Sequence, residues 1–166
     1  MPATHGAQAA RATARHVRLL VALGAAVATA LPVHAQWASW DQPAHIREVA
    51  GELAGRVRAG SAAQIFGEIE QCYRTQEQAI TLGKPLEKCL IQDAVHSWVT
   101  ADMFARMARD NPSRTVPPPQ SVLQAMTERL IAVFRKYNVP EDKAVEFMQA
   151  VRQEGLPAYA QAMQPR

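Results

Sequence analysis

The chain has two thiols, Cys72 and Cys89, seventeen residues apart. Such a pair can form a structural disulfide, a redox-active pair or part of a metal site. Redox-active pairs usually occur as C-x-x-C beside a βαβ unit, and a zinc site needs further Cys or His ligands, but the sequence offers neither pattern. We therefore predict a structural disulfide, which contributes about 3 kcal/mol for a loop of this length in the chain-entropy model.

A second candidate for chemistry is the group Asp93, His96 and Thr100, which shares a helix face with Cys89. A carboxylate three residues before a histidine can orient its imidazole in a catalytic or metal site. No nucleophile motif and no H-E-x-x-H accompany them, so we favour a polar helix face beside the disulfide. The sequence then predicts no catalytic residue, no metal and no cofactor. It also predicts that Asp93 and His96 are dispensable for stability, and that His45 lies at the surface.

Methionine thioethers are soft ligands that could hold copper, and Met103 and Met107 lie one helical turn apart. We favour core packing, in which methionine fills irregular gaps, with an adaptable apolar groove as the alternative. Four methionines lie on predicted core stripes and Met163 does not; the four are Met103, Met107, Met126 and Met148.

Two features could bind a partner protein. Trp98 lies on a broad apolar stripe, and tryptophan is enriched among binding hot spots. The run Pro117, Pro118 and Pro119 forms an extended segment that could dock into an aromatic groove or act as a stiff spacer. We predict that Trp98 and the proline run belong to one recognition surface.

The N-terminal residues have the pattern of a secretory signal peptide. A basic region is followed by an apolar run at 19–31 and by the small-residue site Val33-His34-Ala35. A membrane anchor is the alternative, but the apolar run is shorter than the ~20 residues of a spanning helix. We predict a signal peptide at 1–35, an exported domain at 36–166, no membrane span after cleavage, and a periplasmic or secreted location.

The charge pattern argues against nucleic acid as a partner. The chain has 18 Lys+Arg against 15 Asp+Glu, but three of the arginines lie in the predicted signal peptide. The remaining chain is formally neutral, so the basic excess does not form a nucleic-acid surface.

Helical periodicity predicts an all-α, single-domain bundle of about five helices, with the disulfide joining the second and third. Capping residues and breakers give the approximate bounds. The first helix runs from Asp41 or Pro43 to Gly60, and the second from Ser61 to about Gln76–Gln78. The third runs from Pro85 to about Arg109, and the fourth from Ser121 to Tyr137. The fifth follows a tight link at 138–142 and ends at Gly155, before a short turn at 158–163.

These features favour an exported accessory protein that acts by binding another envelope or secreted protein. One alternative is a carrier that holds a small apolar ligand in a Met- and Trp-lined cavity between helices. The other is an enzyme or metal site centred on Asp93 and His96.

The N-terminal pattern can be tested directly. Intact-mass analysis of the exported protein should find a chain that begins at or near Gln36. An exported chain that retains residues 1–35 would contradict both the predicted location and the oxidising compartment on which the disulfide prediction depends.

Overall fold

The structure is a computed structural model that describes residues 42–165. The expected signal peptide at 1–35 lies outside the described residues, as does Asp41. The described part of the chain is helical and contains no strand, which confirms the predicted fold class. Its elements are α1 (Gln42–Ala59), α2 (Ala62–Thr75), α3 (Lys84–Asp110), α4 (Pro119–Lys136), α5 (Glu141–Ala150), a π-helix (Val151–Gly155) and α6 (Leu156–Met163). None of these helices is both long and apolar enough to cross a membrane.

The long helix α3 is the centre of the bundle. It packs against α1, α2, α4 and the π-helix, which explains why its apolar stripe is wider than a single helix contact requires. Its N-terminal half is buried almost all round. The core side chains there are Leu86, Leu90, Ile91, Ala94 and Val95.

The predicted disulfide is present. Cys72 near the end of α2 is bonded to Cys89 near the start of α3, with an S–S distance of 2.03 Å and a Cα–Cα distance of 5.7 Å. The reach of the bridge explains why α2 ends at Thr75, as the sequence indicated. In the connection that follows, Leu82 is buried, whereas Ile80 is 94% exposed.

The helix starts predicted at Ser61 and Ser121 have different outcomes. At α2 the Ser61 hydroxyl accepts a hydrogen bond from the Gln64 backbone N–H at 3.2 Å. At α4 the prediction was wrong, because the helix begins two residues earlier, at Pro119, and the Ser121 hydroxyl donates to the Pro118 carbonyl. A proline in the first turn has a suitable φ and no N–H that needs a partner.

Gly155 was expected to end the last long helix, and this prediction was also wrong. Its φ of −74° is helical, and the chain continues through it from the π-helix into α6. A Cβ at this position would lie 3.0 Å from the Val95 Cγ2 and 3.4 Å from the Ile46 Cγ2. The glycine therefore allows the helix to pack closely on α3 and α1. The segment expected as a short C-terminal turn is helix α6, with Pro157 in its first turn.

Glu87 is an acid inside this core. Its side chain is 1% exposed, and its Oε2 has no hydrogen-bond partner among the described residues. Burial raises its pKa from 4.5 to about 8, and the nearby charge of Lys84 opposes this shift only in part. The carboxyl group is therefore mainly protonated at pH 7.

Replacing Glu87 with Gln should change how stability depends on pH. Between about pH 4.5 and 8 the folded chain holds a proton that the unfolded chain has lost. The free energy of unfolding therefore falls as pH rises, by up to about 1.4 kcal/mol per pH unit from this group. Urea unfolding at pH 5, 6, 7 and 8 should show Glu87→Gln gaining stability relative to wild type by a few kcal/mol across the range.

The exposed Glu128 provides the control. Glu128→Gln should differ from wild type by a nearly constant amount across the same pH range. A Glu87→Gln difference that is equally flat would show that this carboxyl group is ionised in the folded protein.

Candidate functional site

Asp93 accepts hydrogen bonds from side chains on three helices and is completely buried. Arg129 of α4 donates two, from Nε to Oδ2 at 2.8 Å and from Nη2 to Oδ1 at 2.7 Å. The Tyr73 hydroxyl of α2 donates to Oδ2 at 3.1 Å, and the Ser97 hydroxyl of α3 donates to Oδ1 at 3.1 Å. We call these four residues the Asp93 cluster.

The electrostatics of the cluster keep both of its titratable donors protonated. The hydrogen bonds that Arg129 donates to Asp93 raise the pKa of Arg129, and partial burial opposes this only in part. Burial raises the pKa of Tyr73 strongly, and the charge of Asp93 raises it further. Four hydrogen bonds occupy the acceptor sites of the Asp93 carboxylate, so the cluster crosslinks the three helices.

This geometry corrects the interpretation of Asp93 and His96 as a polar helix face. Both side chains are buried, and Asp93 accepts hydrogen bonds from three helices, so Asp93 is expected to contribute to stability. The His96 ring packs edge-on against Phe66, with the ring centroids 4.4 Å apart. His45, expected at the surface, is half-buried, and burial lowers its pKa.

Sequence reasoning missed Arg129, Tyr73 and Ser97 as partners of Asp93. One signal was present in α4, because Arg129 lies between Met126 and Leu130 on the core face of the helix. An arginine at such a position requires a buried counter-charge. The sequence did not show that the acid facing Arg129 would be Asp93 of α3.

An apolar groove of about 370 Å³ includes the predicted anchor Trp98, which is half-buried. We call it the Trp98 groove, and it lies mainly between α4 and α5. Phe134 and Phe147 join these helices through an edge-to-face contact with centroids 6.0 Å apart. The apolar lining consists of Trp98, Met126, Leu130, Ile131, Phe134, Ala144, Val145 and Met148.

The three prolines predicted for the same surface are not among the described residues that line the Trp98 groove. Pro117 and Pro118 are exposed, and Pro119 is the first residue of α4. Their role in binding remains a prediction, but the structure does not join them to Trp98 in one groove.

A second groove, of about 600 Å³, lies between the C-terminal half of α3, the end of α1 and α6. We call it the methionine groove because Met103, Met107 and Met163 all line it, together with His96 and Tyr159. Met103 was expected in the core, but it is 40% exposed. Of the four methionines assigned to core stripes, only Met126 is fully buried.

No protein-family model matches the chain, and neither a curated protein nor a solved structure matches it. The candidate sites are therefore assigned from the burial, contacts and chemistry of their own residues.

Proposed function

We propose that the protein is an exported helical accessory protein that acts by binding another envelope or secreted protein. The observation that carries this proposal is the Trp98 groove, in which a half-buried tryptophan lies beside two exposed aliphatic side chains. Ile131 is 41% exposed and Val145 is 48% exposed, and both line the groove. Exposed apolar residues gathered around a concavity are typical of a binding surface.

The chemistry of the groove favours an apolar segment of a partner, such as the apolar face of a helix. Burying aliphatic surface contributes about 25 cal/mol per Å² of area removed from water. Trp98 offers a large, rigid contact whose ring already packs against the core, so little side-chain entropy is lost on binding. Glu141 and Arg152 lie at the groove and could pair with charged groups that flank the apolar segment.

Export is part of the same proposal. A disulfide is typical of oxidising compartments, and this one joins two helices of the core. Together with the N-terminal pattern, it supports a periplasmic or secreted location.

A small apolar ligand is the second candidate occupant of this groove. A volume of about 370 Å³ falls within the range of small-molecule sites, and Trp98 with Met126 and Met148 gives the Met- and Trp-lined site expected of a carrier. The groove is open to solvent, however, whereas a carrier usually encloses most of its ligand. This is why we prefer a protein partner.

The groove is best tested with Ile131→Glu and Val145→Glu, because both side chains are exposed. Each variant should keep its free energy of unfolding within about 0.5 kcal/mol of wild type. Each should weaken partner binding by at least about tenfold, because a charge would be placed in an apolar contact. Trp98→Ala is less informative, since its ring also packs against the core.

Ile80→Glu is the matched control, because Ile80 is exposed outside the groove. Tagged wild type and variants are compared by recovery from the native envelope, with mass spectrometry of proteins and small molecules. A protein recovered with wild type and Ile80→Glu but lost with both groove variants supports the proposal. An apolar small molecule with that pattern would support the carrier, and partners retained by all variants would contradict a role for this groove.

A further inference from the structure

Three thioethers line the methionine groove and come from two different helices. Met103 and Met107 are four residues apart on α3, so they lie on one face with an axial separation of about 6 Å. Met163 is the last residue of α6 and reaches the same groove from the other side. The partial exposure of Met103 leaves this part of the groove accessible from solvent.

The electrostatics of this end of the groove favour a cation. Met107 lies in the last turn of α3 and Met163 in the last turn of α6, so two helix C-termini are close to the thioethers. A helix C-terminus carries a partial negative charge. The lining also contains the Asp110 carboxylate and an ion pair between Asp102 and Arg106 at 2.6 Å, so its net charge is negative.

We propose that Met103, Met107 and Met163 bind a soft monovalent cation, Cu(I), through their thioether sulfurs. Thioethers are uncharged, soft donors that select Cu(I) over hard divalent ions such as Mg²⁺ and Ca²⁺. The remaining lining is largely apolar and includes Val57, Val99 and Leu156.

The hard and borderline side chains that line the groove are not gathered into one metal centre. Among residues 42–165, no group of three or more His, Cys, Asp or Glu side chains is placed to hold a metal ion. His96 also lines the groove, but it lies seven residues before Met103, about 10 Å along the axis, and its ring packs on Phe66. Asp93 and His96 are thus still expected to bind no metal, and the metal ligands are the three methionine sulfurs.

The site is tested by titrating Cu(I) into the full chain without oxygen, against a chromogenic Cu(I) chelator. Ascorbate keeps copper reduced and leaves the Cys72–Cys89 disulfide closed, so thiolates do not contribute. One Cu(I) per chain is expected. Met103→Leu and Met107→Leu keep the apolar volume and lose only the sulfur. Each substitution should lower the affinity for Cu(I) by more than about tenfold, because even residues that only support the direct ligands change metal affinity by about 10–100-fold.

Met148→Leu is the control, because Met148 lines the Trp98 groove instead. It should bind Cu(I) as tightly as wild type. Leucine variants of Met103 and Met107 that also bind like wild type would overturn the proposal, as would an absence of stoichiometric Cu(I) binding.

Methyl NMR locates the ion independently of affinity. With ¹³C-methyl methionine, Ag(I) as a redox-stable substitute should shift the signals of Met103, Met107 and Met163 and leave those of Met126 and Met148 unchanged. Equal shifts of all methionine signals would indicate non-specific binding and contradict the site. Because the Trp98 groove is separate, Ile131→Glu should leave Cu(I) binding intact, so the two proposals can fail independently.

Discussion

The buried carboxylate of Asp93 is the constraint on which the arrangement of the helices depends. Removing a charge from water costs several kcal/mol, and only well-placed partners offset that cost. Here the partners come from α2, α3 and α4, so those helices must keep one register relative to each other. The disulfide lies next to this carboxylate along the two helices, because Cys72 directly precedes Tyr73 on α2 and Cys89 lies one turn before Asp93 on α3. One covalent and one polar crosslink therefore hold α2 on α3.

The two candidate binding surfaces lie near the point where the buried part of α3 ends. The N-terminal half of α3 is covered almost all round, whereas beyond Ala101 the helix continues to Asp110 with exposed and half-buried side chains. Trp98 lies where the covered half ends, and Met103 and Met107 lie beyond it. The rigid half thus positions the residues of the Trp98 groove and the methionine groove. A binding site on a long, well-anchored helix is held more precisely than one on a loop.

The sequence predicted the elements well and the site poorly, for physical reasons. Helical periodicity is a local constraint, and the reach of a disulfide is a pairwise one. The fold class, the Cys72–Cys89 bridge and the approximate end of α2 were therefore predicted correctly. Gly155 was read as a helix end because glycine usually breaks helices, but here close packing on Val95 decides its role. Asp93 was misread because its partner Arg129 is 36 residues away, and the helix pattern says nothing about which faces meet. Met103 follows the core periodicity but lies beyond the neighbours that would bury it.

The most direct test of this account is the free energy of unfolding of Asp93→Asn, measured by denaturant titration with the disulfide intact. Asparagine keeps the shape of the side chain but removes the charge that Arg129 and Tyr73 face. We predict a loss of about 3 kcal/mol or more, and a coupling energy above about 1 kcal/mol with Arg129→Gln in a double-mutant cycle. An Asp93→Asn protein within about 0.5 kcal/mol of wild type would show that the bundle does not depend on this carboxylate.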